Sequence, residues 1–164
     1  MKFSLESNHK HARAGRLSVN NKTINTPAFM TIGTYGSVKT MDAFDLKKCN
    51  VEIILSNAFH LMLRPGTALI EKFGGLHQLM NWDGLILTDS GGYQVFSLGK
   101  DIKISDVGAE FRSPFNGDKV LMTPEISIDV QTKINTDIMM IFDECIKYPS
   151  SLSAVSYTHL RAHE

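Results

Sequence analysis

The stretch Leu87-Thr88-Asp89-Ser90-Gly91-Gly92-Tyr93-Gln94 concentrates residue types that can do chemistry. An acid closing an apolar run lies where α/β folds place their active sites, at the carboxyl end of a buried parallel strand. Two consecutive glycines let the backbone approach a ligand with no Cβ in the way. The aromatic residue after them can lie flat on a ring. The same residues also read as an N-cap Asp or Ser followed by a turn. A phosphate cradle is a third reading, and Asp89 would repel that anion.

Asp143 repeats the placement after Ile138-Met139-Met140-Ile141-Phe142. If the two strands share a sheet, Asp89 and Asp143 face one mouth. Retaining glycosyl transfer uses two carboxyl groups, one as nucleophile and one as acid/base, and spacing alone pairs these two. The plainer reading of Asp143 is a helix cap or a surface acid. Asn57 and His60, in Ser56-Asn57-Ala58-Phe59-His60-Leu61, follow another apolar run and could reach the same mouth. A satisfied structural histidine ranks ahead of a catalytic one. Cys145 reads first as a small buried thiol. Trp82, Met30, Met62, Met139 and Met140 read as core.

These residues need elements to hold them. Phe3 and Leu5, Leu17 and Val19, then Ile24 predict short antiparallel strands, with Asn20-Asn21 as a hairpin tip. Ala28 to Ile32 is a short buried run ending at Gly33, and Asp42 to Lys48 has helical spacing. Val51 to Leu55 and Gly84 to Thr88 read as strands. Gly66 to Phe73 reads as a helix started by Pro65 and stopped by Gly74-Gly75. An inserted hairpin covers Ile102 to Val120, turning at Asn116-Gly117. Thr123-Pro124-Glu125 opens a helix whose apolar stripe is Ile126, Val130 and Ile134. Ile138 to Phe142 is a fourth strand. Strand and helix alternate four times and the strands are continuous apolar runs, so the class is α/β with parallel strands. Periodicity does not choose between a doubly wound sheet and a barrel. No G-x-G-x-x-G follows any of these strands, which argues against a dinucleotide-binding sheet. A full eight-unit barrel needs about 250 residues, so this chain would supply half of one.

The 164 residues are 43% hydrophobic and 21% charged, with 12 Gly and 5 Pro, which excludes low-complexity and collagen-like chains and argues against disorder. No apolar run approaches the roughly 18–20 residues of a membrane span, and the start lacks a signal-peptide core. Cys49 and Cys145 are too few for a disulfide framework and lack zinc-site spacing, so both read as reduced thiols of a cytoplasmic protein. Seventeen basic and seventeen acidic residues cancel. However, no acid stands between Glu6 and Asp42, while Lys10, Arg13, Arg16, Lys22 and Lys39 do. This is a solvated surface with carboxylates supplied from elsewhere in the fold, or else a phosphate-facing edge.

After Pro149 the alternation stops. Val155-Ser156-Tyr157-Thr158-His159-Leu160-Arg161-Ala162-His163-Glu164 resembles one reading frame of a transposon-derived adapter used to prepare sequencing libraries. The domain is therefore taken as residues 1–149, with 150–164 a non-native tail left out of the fold reading. The i, i+4 spacing of His159 and His163 is not read as a metal site.

The chain resembles the N-terminal half of the tRNA-guanine transglycosylases, which exchange a guanine in tRNA for a 7-deazaguanine. The resemblance is carried by Thr26-Pro27-Ala28-Phe29-Met30, Ile32-Gly33-Thr34, Ser56-Asn57-Ala58-Phe59-His60-Leu61 and Leu63-Arg64-Pro65-Gly66. It continues through Leu87 to Leu98, Phe111-Arg112-Ser113, Thr123-Pro124-Glu125, Asp137 to Met140 and Phe142-Asp143-Glu144-Cys145. It implies the first four βα units of a (β/α)8 barrel behind an N-terminal antiparallel β element. It implies Asp89 as the general acid/base, Ser90, Gly91, Gly92 and Tyr93 as the base-binding loop with Tyr93 stacking on the purine, and Asp143 as acceptor for the guanine edge. Asp143 would then recognise the base and not attack the sugar, against the pairing that spacing suggests.

By the same resemblance the intact protein exchanges the wobble guanine for preQ1 or queuine through a covalent glycosyl-enzyme, in queuosine biosynthesis. It would be bacterial and cytoplasmic, would bind tRNA and zinc, and could form a homodimer. The nucleophilic Asp, later base-binding residues and zinc ligands would lie beyond this chain, leaving it inactive and with no metal residue of its own. A non-catalytic tRNA-binding scaffold subunit and an unrelated barrel enzyme for a phosphorylated metabolite are the alternatives.

Overall fold

The computed structural model describes residues 1–98 and 101–161, with side chains up to Ser156 at the C-terminal end. Strands β1 (Lys2–His9), β2 (Ala12–Val19) and β3 (Lys22–Thr26) form an antiparallel sheet in that order. Asn20, at φ 53°, turns the β2–β3 hairpin as expected of a residue that tolerates the left-handed region.

A second sheet is parallel, in the order β10-β6-β5-β4, from β4 (Thr31–Ile32), β5 (Ile53–Ser56), β6 (Leu85–Thr88) and β10 (Ile138–Met139). Because side chains alternate along a strand, this sheet has two apolar faces. Ile53, Leu85 and Leu87 meet Val19 and Ile24 of the antiparallel sheet. Ile54 and Ile86 face the opposite way, into a core with Leu61, Ile70, Leu76, Trp82, Val130 and Ile134. That second core is built by α1 (Ala43–Lys48), α2 (Ala58–Leu63), α3 (Thr67–Lys72), α4 (Leu76–Met80) and α6 (Pro124–Ile134). The architecture is thus mixed α/β around a parallel sheet covered on both faces.

Several expectations change. The outer strands are shorter than their apolar runs: Phe29 is 82% exposed, and Met139, Met140 and Ile141 are also exposed, so these methionines are not core. Each outer strand has one neighbour among the described residues, and burial needs two. Trp82 is buried, while Met30 and Met62 pack partly against the cores. The expected hairpin is a three-stranded meander, β7 (Lys103–Ser105), β8 (Gly108–Arg112) and β9 (Lys119–Met122), with Asn116-Gly117 in its second turn. Three short helices had not been read: α2, α4 and α5 (Gly92–Leu98) are five to seven residues long, too short for a period to show. The tail, left out of the fold reading, is helical over α7 (Leu152–Arg161). The side chains of His159 and His163 lie outside the described part.

Asp137, one residue before β10, fastens the amino-terminal end of the parallel sheet. Its Oδ2 accepts from the Ile86 N–H at 2.9 Å and lies 2.9 Å from His77 Nε2 and 3.4 Å from Lys22 Nζ. Its Oδ1 accepts from Asn20 at 3.3 Å, and Lys22 also donates to the Gly84 carbonyl at 2.8 Å. The acid-poor N-terminal region does draw carboxylates from elsewhere for Lys22, while Arg16 pairs with Glu6 at 2.9 Å. Burial pushes the Asp137 carboxyl up. The Ile86 N–H, His77, Lys22 and Asn20 outweigh it, and the net displacement is downward.

A depressed folded-state value means stabilisation that is complete above the unfolded value and lost as pH falls through the folded one. Asp137→Asn should cost about 2–3 kcal/mol in urea unfolding at pH 7. The wild type should lose stability below about pH 4, and the variant should lose less over that range; equal acid sensitivity would refute the assignment. The open edges and the exposed Ile141 should make the chain self-associate on size exclusion, and Ile141→Lys should shift it towards monomer.

Candidate active site

Asp89 directly follows β6, and its N–H donates to the Ser56 carbonyl at 3.1 Å, extending the β5–β6 ladder by one rung. Its carboxylate is gripped from one side. Oδ2 accepts from Asn57 Nδ2 at 2.5 Å and Oδ1 from the Ala58 N–H at 2.9 Å. Asp89 is therefore a helix cap as well as a mouth residue, but it caps α2 and not the helix that follows it. Ser90 serves the start of α5: its buried Oγ accepts from the Gly92 N–H at 3.2 Å and donates to Asp143 Oδ1 at 2.9 Å. One hydroxyl thus ties the ends of neighbouring strands together, and both aspartates stand at the carboxyl end of the sheet.

The two glycines have separate packing reasons. Gly91 sits at φ 85°, where a Cβ would come within 2.9 Å of Met122 Cε and 3.3 Å of Phe59 Cβ. A Cβ on Gly92 would overlap the Asp143 carbonyl and lie 2.8 Å from its Oδ1, so the acid lies flat against that glycine.

Deeper support comes from residues not singled out in the sequence. Gln131 is fully buried on α6; its Oε1 accepts from Thr88 Oγ1 at 3.0 Å and from the Met140 N–H at 2.9 Å. Its Nε2 donates to the Met140 carbonyl at 2.9 Å and towards Ser127 Oγ at 3.2 Å. Ser127 Oγ donates to the Ser90 carbonyl at 2.7 Å. A polar Ser127/Gln131 pair at i, i+4 beside the apolar stripe was the available signal.

Around this centre, the His60 ring contacts Tyr35 and Phe59, with centroids 5.0 and 5.4 Å away. Its Nδ1 is buried without a partner. Burial lowers its proton affinity, opposed by the negative charge of Asp89. It is therefore not the satisfied structural histidine that was expected. Tyr93 is 62% exposed at the mouth. Cys145 lines a cavity of about 220 Å³ together with Gly92, Val95, Val107, Ile128 and Asp143, so it does reach a pocket; Asp89, Ser90 and Tyr93 are not in that lining. Burial, and then the charge of Asp143, push the Cys145 thiol up, which makes it a poor nucleophile.

Among the described residues no Lys or Arg pairs with Asp89 or Asp143. The site presents acceptors without a countercharge, which suits a ligand offering N–H donors and repels phosphate. Among the same residues no three His, Cys, Asp or Glu side chains converge on a metal position, and none of the helices is long and apolar enough to cross a membrane.

A family profile described as queuine tRNA-ribosyltransferase matches residues 7–164. Curated relatives carrying that name include one from Nitrosospira multiformis, 55% identical over 94% of this chain and 42% of its own length. Another from Nitrosomonas eutropha is 56% identical over 91% of this chain and 41% of its own. A third, from Hydrogenovibrio crunogenus, is 55% identical over 92% and 41%. The chain spans about two fifths of the length of these relatives. With that profile matching nearly the whole chain, the chain belongs to the queuine tRNA-ribosyltransferase family.

Proposed function

We propose that this chain is the base-recognising part of a tRNA-guanine transglycosylase, residues 1–149 forming four βα units of a (β/α)8 barrel and residues 150–164 standing outside it. The observation that carries the reading is the pair of aspartates at adjacent strand ends, joined through Ser90 and, among the described residues, free of any paired cation. In the reaction a carboxylate from outside this chain attacks the ribose anomeric carbon and guanine departs. A 7-deazaguanine then attacks the glycosyl-enzyme, restoring the carboxylate. Asp89 gives a proton to the leaving base and takes one from the entering base. Asp143 keeps Oδ2 for the adjacent N–H donors of the guanine edge while Ser90 holds Oδ1. Gly91 lets the loop pack on Phe59 and Met122, Gly92 lets Asp143 close onto the loop, and Tyr93 stacks on the base. The wobble nucleotide must leave its stack to enter. The zinc implied by family resemblance has no fitting ligand set among the described residues.

Fusing residues 1–149 to the remainder of the Nitrosospira multiformis relative should give a full-length protein that exchanges labelled guanine into tRNA, whereas the 164-residue chain alone should give none. In the fusion, Asp89→Ala should lower kcat by about 10²–10⁴-fold. Asp143→Ala should raise the KM for guanine by about 10–100-fold, the loss of a charged hydrogen bond. Gly92→Ala should copy Asp143→Ala by displacing it. Undiminished exchange in Asp89→Ala, or exchange by the chain alone, would refute the corresponding assignment; tRNA binding without exchange in the unmutated fusion would favour a scaffold subunit.

A further inference from the structure

We infer that Asn57 is a positioning residue for Asp89, one that fixes the rotation of its carboxylate through the bond from Nδ2; the inference rests on the acid/base reading of Asp89 above. Asn57 is the N-cap residue of α2, in extended backbone at φ −104° and ψ 112°, and only 8% exposed. An asparagine in that position ordinarily turns its side-chain oxygen onto an N–H of its own helix. Here it makes no such bond. The Ala58 N–H that needs an acceptor is satisfied by Asp89 Oδ1, and the released asparagine amide donates to Asp89 Oδ2. The acid takes the first N–H of the helix, and the cap residue's amide is turned onto the acid.

The consequence is a two-armed grip. Donors from consecutive residues of one turn take one lone pair on each carboxylate oxygen, and a carboxylate has about four acceptor positions in all. Two remain for a ligand. The Ala58 arm alone would leave the carboxylate free to turn about that single bond. His60, the other polar residue of this turn, has no hydrogen bond to Asp89, and its buried Nδ1 has no partner at all. Asn57 is therefore the arm that substitution can remove.

The test uses the 164-residue chain, isotope-labelled, with guanine as the probe. In the wild type, Asp89 should show side-chain couplings of a single χ1 rotamer and an Ala58 amide protected from exchange. In Asn57→Ala the couplings should average between rotamers while the thermal midpoint moves by no more than a few degrees. Asn57→Gln, which keeps the donor, should restore part of the single-rotamer signature. Guanine affinity should fall about tenfold in Asn57→Ala, the scale of losing an orienting partner, and should fall no further when Asn57→Ala is added to Asp89→Asn. Unchanged Asp89 couplings in Asn57→Ala, or fully additive losses in the double variant, would overturn the inference. A wild-type chain in which guanine moves no resonance would count against the functional reading instead, with the couplings still deciding the role of Asn57.

Discussion

The buried amide of Gln131 takes hydrogen bonds on its oxygen from Thr88 and the Met140 N–H and returns its own to the Met140 carbonyl and Ser127. In doing so it joins the end of β6, the end of β10 and the helix behind both. Each polar group it satisfies would cost about 1–3 kcal/mol if buried alone, so the arrangement is held as a set and tolerates little drift. Asp89 lies one residue beyond Thr88, and Asp143 three beyond Met140. The spacing of the two carboxylates therefore follows from a side chain that touches neither. Ser127 extends the same control to the Ser90 carbonyl, and Ser90 in turn holds Asp143.

The two ends of the parallel sheet use the same residue type in opposite ways. At the amino-terminal end Asp137 is surrounded by donors, two of them on cation-forming side chains, and ties four segments together. At the carboxyl end, among the described residues, Asp89 and Asp143 receive neutral donors only. This division matches what α/β folds do in general, with stability invested at one end of the strands and ligand chemistry left to the other.

What the sequence made legible was whatever depends on local pattern. The central strands, the Thr123 cap, the Asn20 tip and the acid-Ser-Gly-Gly-aromatic loop all carry their signal within a few residues. The outer strands were read too long because the apolar runs around Phe29 and Ile141 look the same whether or not a neighbour covers them. Helices of five to seven residues leave no measurable period. The bonds from Asn57 to Asp89, Gln131 to Thr88 and Lys22 to Asp137 span 32, 43 and 115 residues. Apart from the Ser127/Gln131 pair beside the apolar stripe of α6, nothing local distinguishes those side chains from solvated ones. The position of Asn57 after an apolar run allows it to reach the mouth but does not name its partner, since the ordinary expectation for an N-cap asparagine is its own helix.

The absence of a cation beside Asp89, among the described residues, bears directly on what the site can do. A Lys or Arg there would place two or more strong donors on the lone pairs that a ligand needs, and would compete with it at every turnover. Neutral donors from Asn57 and Ala58 orient the carboxylate from behind and leave its open side unscreened. Asp143 is handled alike, with one oxygen held by the Ser90 hydroxyl. Two carboxylates at one end of the sheet, with no Lys or Arg paired to either among the described residues, repel anions and attract polarised N–H bonds. On the proposed reading, selectivity and readiness for proton transfer then come from one choice, that of fixing acids with uncharged neighbours.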